Sequence, residues 1–360
     1  LNLGEEYEGK TLLDVFQQSE SLSPNVNAQI TDFLTDAIAA LQQQRQAVMS
    51  EMDAEDFKQT MAYATAGGDL NFEDDSFYTP LMKATNIGNI AAMQKLLELG
   101  ANANYRDSKY GETAIFETIV GSDFQALDVL IANGADLNIK IGNDITFVMR
   151  SVIYNNIDMV QKALSLGANI NDQSSKGWTA LHWTVNSKEN QEFDGTEIAA
   201  FLIRSGADIN ARTSEGYTPI NLAAANVHPG VFNLLIDANA NVNIASFDKY
   251  SPLINAMFYD QFEMVEKLIA AGANVNQSGK DLWAPLLWAV NDPENQPHNG
   301  ARYISLLLSN GANINDVNSS GNTAVKLAAI NNRTDELKLL IEAGADVNIL
   351  NNLSHSALMS

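Results

Sequence analysis

Cysteine is absent from all 360 residues. That excludes disulfides and thiolate metal sites and leaves the redox compartment open, because many secreted bacterial proteins also lack it. Basic residues are scarce: 21 Lys and Arg stand against 44 Asp and Glu, a net charge of −23. A phosphate backbone would be repelled by such a field, so nucleic acid is not an expected partner, whereas a basic protein would be attracted. Acidity also serves plain solubility, and that simpler explanation stays open. Histidine occurs only at His182, His228, His298 and His355. With no H-E-x-x-H, no G-x-S-x-G and no phosphate-binding glycine loop, the reading is of a protein that is not an enzyme and holds no cofactor or metal. No apolar run reaches the roughly 18 residues needed to span a bilayer. Leu1 stands where a translated chain has Met and no signal pattern follows, so either a leader was removed or the chain starts internally. A cytoplasmic place is favoured, with a secreted or periplasmic one left open.

What the sequence does hold is repetition. The segment Gly344-Ala345-Asp346-Val347-Asn348 returns in close variants at Gly67, Gly100, Gly134, Gly167, Gly206, Asn239, Gly272 and Gly311, in steps of 33, 34, 33, 39, 33, 33, 39 and 33 residues. A fixed period of this length predicts a solenoid in which each unit buries its apolar face against its neighbours. One elongated, monomeric body is expected.

One unit shows how the repeat is built. Thr79 precedes Pro80, so its hydroxyl caps a helix whose first position tolerates proline. Leu81 and Ala84, then Ile90, Met93, Leu96 and Leu97, recur at helical spacing on two short helices parted by Gly88 and Asn89. Gly100 ends the second helix in the left-handed region, and Asn104 offers its amide to loop backbone groups. The same order returns at Thr113-Ala114-Ile115, Thr146-Phe147-Val148, Thr179-Ala180-Leu181-His182, Thr218-Pro219-Ile220, Ser251-Pro252-Leu253, Ala284-Pro285-Leu286 and Thr323-Ala324-Val325.

These T-P-L-H-x-A and G-A-D-x-N motifs resemble those of the ankyrin-repeat family, over roughly residues 67–360. The resemblance implies an all-α ankyrin-repeat solenoid of stacked helix pairs with short β-hairpin loops, in a member expected to be bacterial. It also implies that His182 bonds backbone and steadies its turn. Asn239 and Phe147 depart from the pattern, at a helix-ending Gly and a Pro or Ala position. Residues 1–66 lack the motif but carry apolar periodicity at Leu12, Leu13, Val15 and Phe16, at Ile30, Phe33, Leu34, Ala37, Ile38 and Leu41, and in a third helix from about Ala54 to Ala66. With eleven acidic and three basic residues, this segment reads as a polar N-terminal helical cap. Ser356-Ala357-Leu358-Met359 reads as the opening of a further helix, so either a short half-repeat serves as the cap or the natural chain continues, the second being the expectation.

Two features are candidates for function. The column just before the N-caps holds Tyr78, Trp178, Tyr217, Tyr250 and Trp283, with Ile87, Tyr154, Phe258 and Tyr259 at the ends of first helices. By the resemblance, this column faces the concave binding surface, where large rings anchor interfaces; packing between hairpins is the structural alternative. The two 39-residue steps place extra residues between helices, over 186–194 and 291–300. Trp183, Val185, Asn186, Glu189, Asn190 and Gln191 recur 105 residues on as Trp288, Val290, Asn291, Glu294, Asn295 and Gln296. A block of three repeats has been duplicated, so the loops are either paired contact elements or inherited insertions. Neither has the alternating ligands of a calcium loop. The reading is a non-catalytic scaffold that binds another protein through the concave face and hairpin tips. The alternatives are a bacterial inhibitor or immunity protein occluding a basic toxin or enzyme, and the binding arm of a larger secreted effector.

Overall fold

The computed structural model describes residues 24–53, 57–186, 195–291 and 300–359. The expected helix over Leu12–Phe16 lies outside them, as do loop residues Glu189, Asn190, Gln191, Glu294, Asn295 and Gln296. The described chain is helical and divides into two units, Leu1–Gly142 and Asn143–Ser360.

In the first unit, α1 (Pro24–Ser50) and α2 (Lys58–Thr65) precede the pairs α3 (Pro80–Asn86) with α4 (Ile90–Glu98) and α5 (Ala114–Glu117) with α6 (Phe124–Ala132). α1 buries Leu34, Val48 and Met49 and leaves Phe33 exposed. Glu51, in the 3-10 turn after α1, opens α2 by accepting from the Gln59 and Thr60 amides at 2.7 and 2.8 Å. Asn89 Nδ2 donates to the Met52 carbonyl at 2.9 Å, tying this segment to the first repeat.

The second unit stacks five pairs: α7 (Phe147–Ile153) with α8 (Ile157–Ser165), α9 (Ala180–Trp183) with α10 (Thr196–Arg204), α11 (Pro219–Ala225) with α12 (Pro229–Asp237), α13 (Pro252–Phe258) with α14 (Phe262–Ala270), and α15 (Pro285–Trp288) with α16 (Gly300–Ser309). A sixth pair, α17 (Ala324–Ile330) with α18 (Thr334–Glu342), is followed by a 3-10 turn at Ala357–Met359. Of the positions predicted from spacing in the first repeat, Leu81, Ala84, Met93 and Leu96 are buried, while Ile90 and Leu97 are half-buried; in the second unit Val148, Val152, Leu181, Ile198, Leu202, Ile220, Leu235, Leu253, Leu268, Leu286, Leu307, Val325 and Leu340 all lie in the core.

Local chemistry sets the ends of these helices. Thr79, Thr146, Ser251 and Thr323 each accept from the amide three residues on, at 3.2 to 3.4 Å. Thr113 does not cap, and its hydroxyl is buried without a partner among the described residues. Asn239 takes the left-handed φ of +59° that Gly100 takes at +98°, which Asn tolerates through its short polar side chain. The expected hairpins are tight turns closed by paired backbone bonds, as in Ser246 N–H to Tyr250 C=O at 3.0 Å and Lys249 N–H to Ser246 C=O at 2.9 Å. Neighbouring turns bond each other, Phe247 N–H to Glu215 C=O at 2.9 Å among them.

The motif Asn joins repeat to repeat. Asn243 Oδ1 accepts from the Asn274 amide at 2.7 Å while its Nδ2 donates to the Gly272 carbonyl at 3.0 Å. Asn276 does the same to Asn313 and Gly311, and Asn104 to Asp136 and Gly134 in the first unit. Each side chain thus satisfies a donor and an acceptor that a helix end leaves open.

Candidate functional site

The pre-cap column stands where the turns close. The carbonyls of Tyr78, Trp178, Tyr217, Tyr250 and Trp283 each accept from the amide four residues earlier, at 2.9 to 3.0 Å, and every one of these side chains is half-buried. The turn fixes the backbone, leaving the ring to lean on its neighbours.

Those neighbours differ along the column. Tyr78, in the first unit, points its hydroxyl at Glu117 Oε2, 3.4 Å away. In the second unit, Trp178 packs on Trp183 with ring centroids 4.9 Å apart. Tyr250 and Trp283 both pack on Trp288, at 6.4 and 5.3 Å. Phe258 packs on Trp288 at 5.8 Å and on Tyr259 at 5.1 Å, edge to face in both cases. Tyr250, Phe258, Tyr259, Trp283 and Trp288 therefore form one contiguous patch, with Phe258 45% and Tyr259 47% exposed. Tyr154 is equally exposed at 47%, with the Arg150 guanidinium 5.3 Å from its ring centre. Ile87 is exposed in the first unit.

The residue at the centre of the patch, Trp288, was not among the column positions, nor was its counterpart Trp183. Both lie one turn inside a first helix, where a column pattern has no reason to look. Their recurrence at the 105-residue offset was the available signal. Each buries its indole N–H without an acceptor among the described residues.

Both sit at the foot of an inserted loop, and each foot is built alike. α9 and α15 stop after four residues where most first helices run to seven. The carbonyl freed at Val185 accepts from Asn226 Nδ2 at 2.7 Å, and that at Val290 from Asn331 Nδ2 at 3.0 Å. Where the chain returns, Gly195 has φ +61°, and a Cβ there would run into the Thr184 carbonyl; one at Gly300 would meet the Ala289 carbonyl at 2.8 Å.

His182 is fully buried beside this site. Its Nδ1 accepts from the Thr179 amide at 3.1 Å, so Nε2 is the nitrogen that donates to the Tyr217 carbonyl at 3.2 Å. The ring is a neutral turn brace, and burial lowers its pKa to about 4 against the upward pull of its backbone bonds to Tyr217 and Ala211. Asn221 fills the same position one repeat later, accepting from Thr218 N and donating to the Tyr250 carbonyl. Lys326 donates to the His355 carbonyl in the last. Burial first, and then the carboxylates of Asp248 and Glu215, raise the pKa of the Tyr217 phenol, although a Ser246 bond opposes them.

Two clefts offer less. One, of about 620 Å³, runs from Gln42, Arg45, Gln46 and Met49 to Phe72–Ser76, but its Glu73 is spent on Ser108 at 2.7 and 2.6 Å. The other, of about 410 Å³, holds Lys267 and Arg302; Lys267 donates to Asn233 and Arg302 covers the Phe262 ring at 3.8 Å. Among the described residues no group of three His, Asp or Glu gathers as metal ligands, and no helix is long and apolar enough to cross a membrane.

Stacked helix pairs, ladder-forming turns and half-exposed rings define a repeat protein of the interaction class. The family model for ankyrin repeats matches residues 46–141, 119–213, 148–246, 190–279 and 253–351, and the chain belongs to that family. It is similar to "Ankyrin repeat and SOCS box protein 6" of Homo sapiens, 28% identical over 149 residues that cover 41% of this chain and 35% of that protein. "SH3 and multiple ankyrin repeat domains protein 2" of Homo sapiens is 30% identical over 163 residues, 45% of this chain and 8% of that one. "Putative ankyrin repeat protein FPV031" of Fowlpox virus is 31% identical over 122 residues, 32% and 36% of the two chains. The chain spans about a third or less of the length of these relatives. Ankyrin repeats mediate protein–protein interaction, and members of the family are generally non-catalytic.

Proposed function

We propose that this protein is a non-catalytic scaffold that holds a protein partner on the ring patch of Tyr250, Phe258, Tyr259, Trp283 and Trp288. The observation that supports this reading is the patch itself: five rings linked through Trp288 and Phe258, two of them nearly half exposed. Rings of this kind bring large contact area at small entropic cost, which is why they anchor interfaces.

The test is affinity capture from the source organism with the wild type and with Phe258→Ala and Tyr259→Ala. Both side chains stand at the surface, so circular dichroism should be unchanged while each variant weakens retention of the captured partner by about 1–3 kcal/mol. Equal retention by wild type and variants would remove the patch from the binding face.

A further inference from the structure

The second unit contains a packed Trp pair and an exposed Tyr twice. Shifting by 105 residues carries Tyr154 onto Tyr259, Trp178 onto Trp283 and Trp183 onto Trp288. The Trp pairs keep their spacing, 4.9 and 5.3 Å, and the two Tyr rings their exposure of 47%. Both buried indole N–H groups recur, and so do the Asn226 and Asn331 braces. These are two stations of one design, three repeats apart. Ile145 and Ile153 stand in the first where Tyr250 and Phe258 stand in the second, so the second is the larger.

A repeat stack relates its copies by a step along the stack. Both stations therefore point the same way along the chain. A partner with twofold symmetry would present its two sites in opposite senses and could fit only one at a time. A linear partner carrying one segment twice, head to tail, fits both. Its charge follows from the face between the stations and from the chain as a whole. The carboxylates of Asp248 and Glu215 bear on Tyr217, which stands between the stations, and the whole chain carries −23. At the first station the protein's own Arg150 already lies against Tyr154, which shows that the ring accepts a guanidinium.

Resting on the function proposed above, we infer that the second unit is bivalent, and that its partner is a basic polypeptide carrying the same short segment in two head-to-tail copies. Packed helices stand about 8–10 Å apart, so three repeats separate the stations by about 25–30 Å. An extended chain needs about eight or nine residues to span that distance.

The probe is a peptide selected from a displayed random twelve-residue library on the immobilised protein, then made as a single copy, as a head-to-tail tandem with linkers of varied length, and as a pair joined C-terminus to C-terminus. The single copy is expected to be rich in Arg or Lys and to bind two per protein by calorimetry, falling to one per protein in Tyr154→Ala and in Tyr259→Ala. The head-to-tail tandem should bind one per protein and about 10²- to 10⁴-fold more tightly once its linker spans the gap; either substitution should abolish the gain. One peptide per protein, lost only in Tyr259→Ala, would overturn the bivalency and leave the proposed binding patch standing. An equal gain for the C-to-C pair would overturn the head-to-tail partner, and acidic or neutral selected sequences would overturn its basic charge. Peptides insensitive to both substitutions would count against the patch itself.

Discussion

His182 shows how much a single side chain can carry without chemistry of its own. It is neutral, fully buried and bonded at both ring nitrogens to backbone. Its folded pKa of about 4 lies below the unfolded value of 6.5. A depressed value means that the unfolded chain takes the proton first, so stability is unaffected above about pH 6.5 and falls as the pH drops toward 4. The full loss from two and a half units is about 3 kcal/mol at 1.36 kcal/mol per unit. Asn221 performs the same bonding without titrating, which suggests the control. Urea melts of wild type and His182→Asn should differ at pH 7 by a margin that shrinks or reverses by pH 4. A margin independent of pH would show that His182 is not the titrating brace.

At the scale of elements, the two curtailed helices matter most. α9 and α15 each release a carbonyl, at Val185 and Val290, and each receives an amide from the next repeat in exchange. Asn226→Ala and Asn331→Ala should each cost about 1–2 kcal/mol, since a buried acceptor is left unpaired. Gly195→Ala should cost more, because its φ of +61° disfavours a side chain and a Cβ would strike the Thr184 carbonyl. Joining residues 187 and 194 directly, without Lys188 to Phe193, should move the melting temperature little. Chemical denaturation of these four variants would separate the loop from its foot, and a large loss on shortening would show the loop itself to be packed structure. Much of this fold was legible in the sequence. Thr79, Gly100 and Asn104 announce cap, stop and turn by local chemistry, and the period repeats the announcement. The ring patch was legible only in part. Tyr250 and Phe258 stand 38 and 30 residues from Trp288, and contacts at such separations depend on how pairs stack, which no local pattern encodes. Thr113 has the residue type of a cap, but α5 is a four-residue turn in which the Phe116 amide bonds the Thr113 carbonyl instead of its hydroxyl.

For the molecule as a whole, stability is a sum of unit and neighbour terms, so its ends are its weak places. Residues 24–53 cover the first repeat through Val48, Met49 and Met52 and supply the carbonyl that Asn89 uses. Removing residues 1–66 should therefore lower the melting temperature or cause aggregation. Light scattering with a thermal melt would decide it, and a monomer of unchanged melting would show that the segment is not a cap. The duplication bears on something else, namely how such a chain grows. The first block, 143–247, meets the second, 248–352, through the same kind of asparagine bond that joins neighbours inside each block, Asn243 to the Asn274 amide. The seam is chemically indistinguishable from the interior. A further exchange between the two homologous blocks in a lineage would insert another 105 residues without a strained junction, and each insertion would bring one more Trp pair facing the same way. If the proposed stations bind as inferred, binding capacity is written in chain length, and natural selection could lengthen the protein's reach by copying alone, before altering any residue.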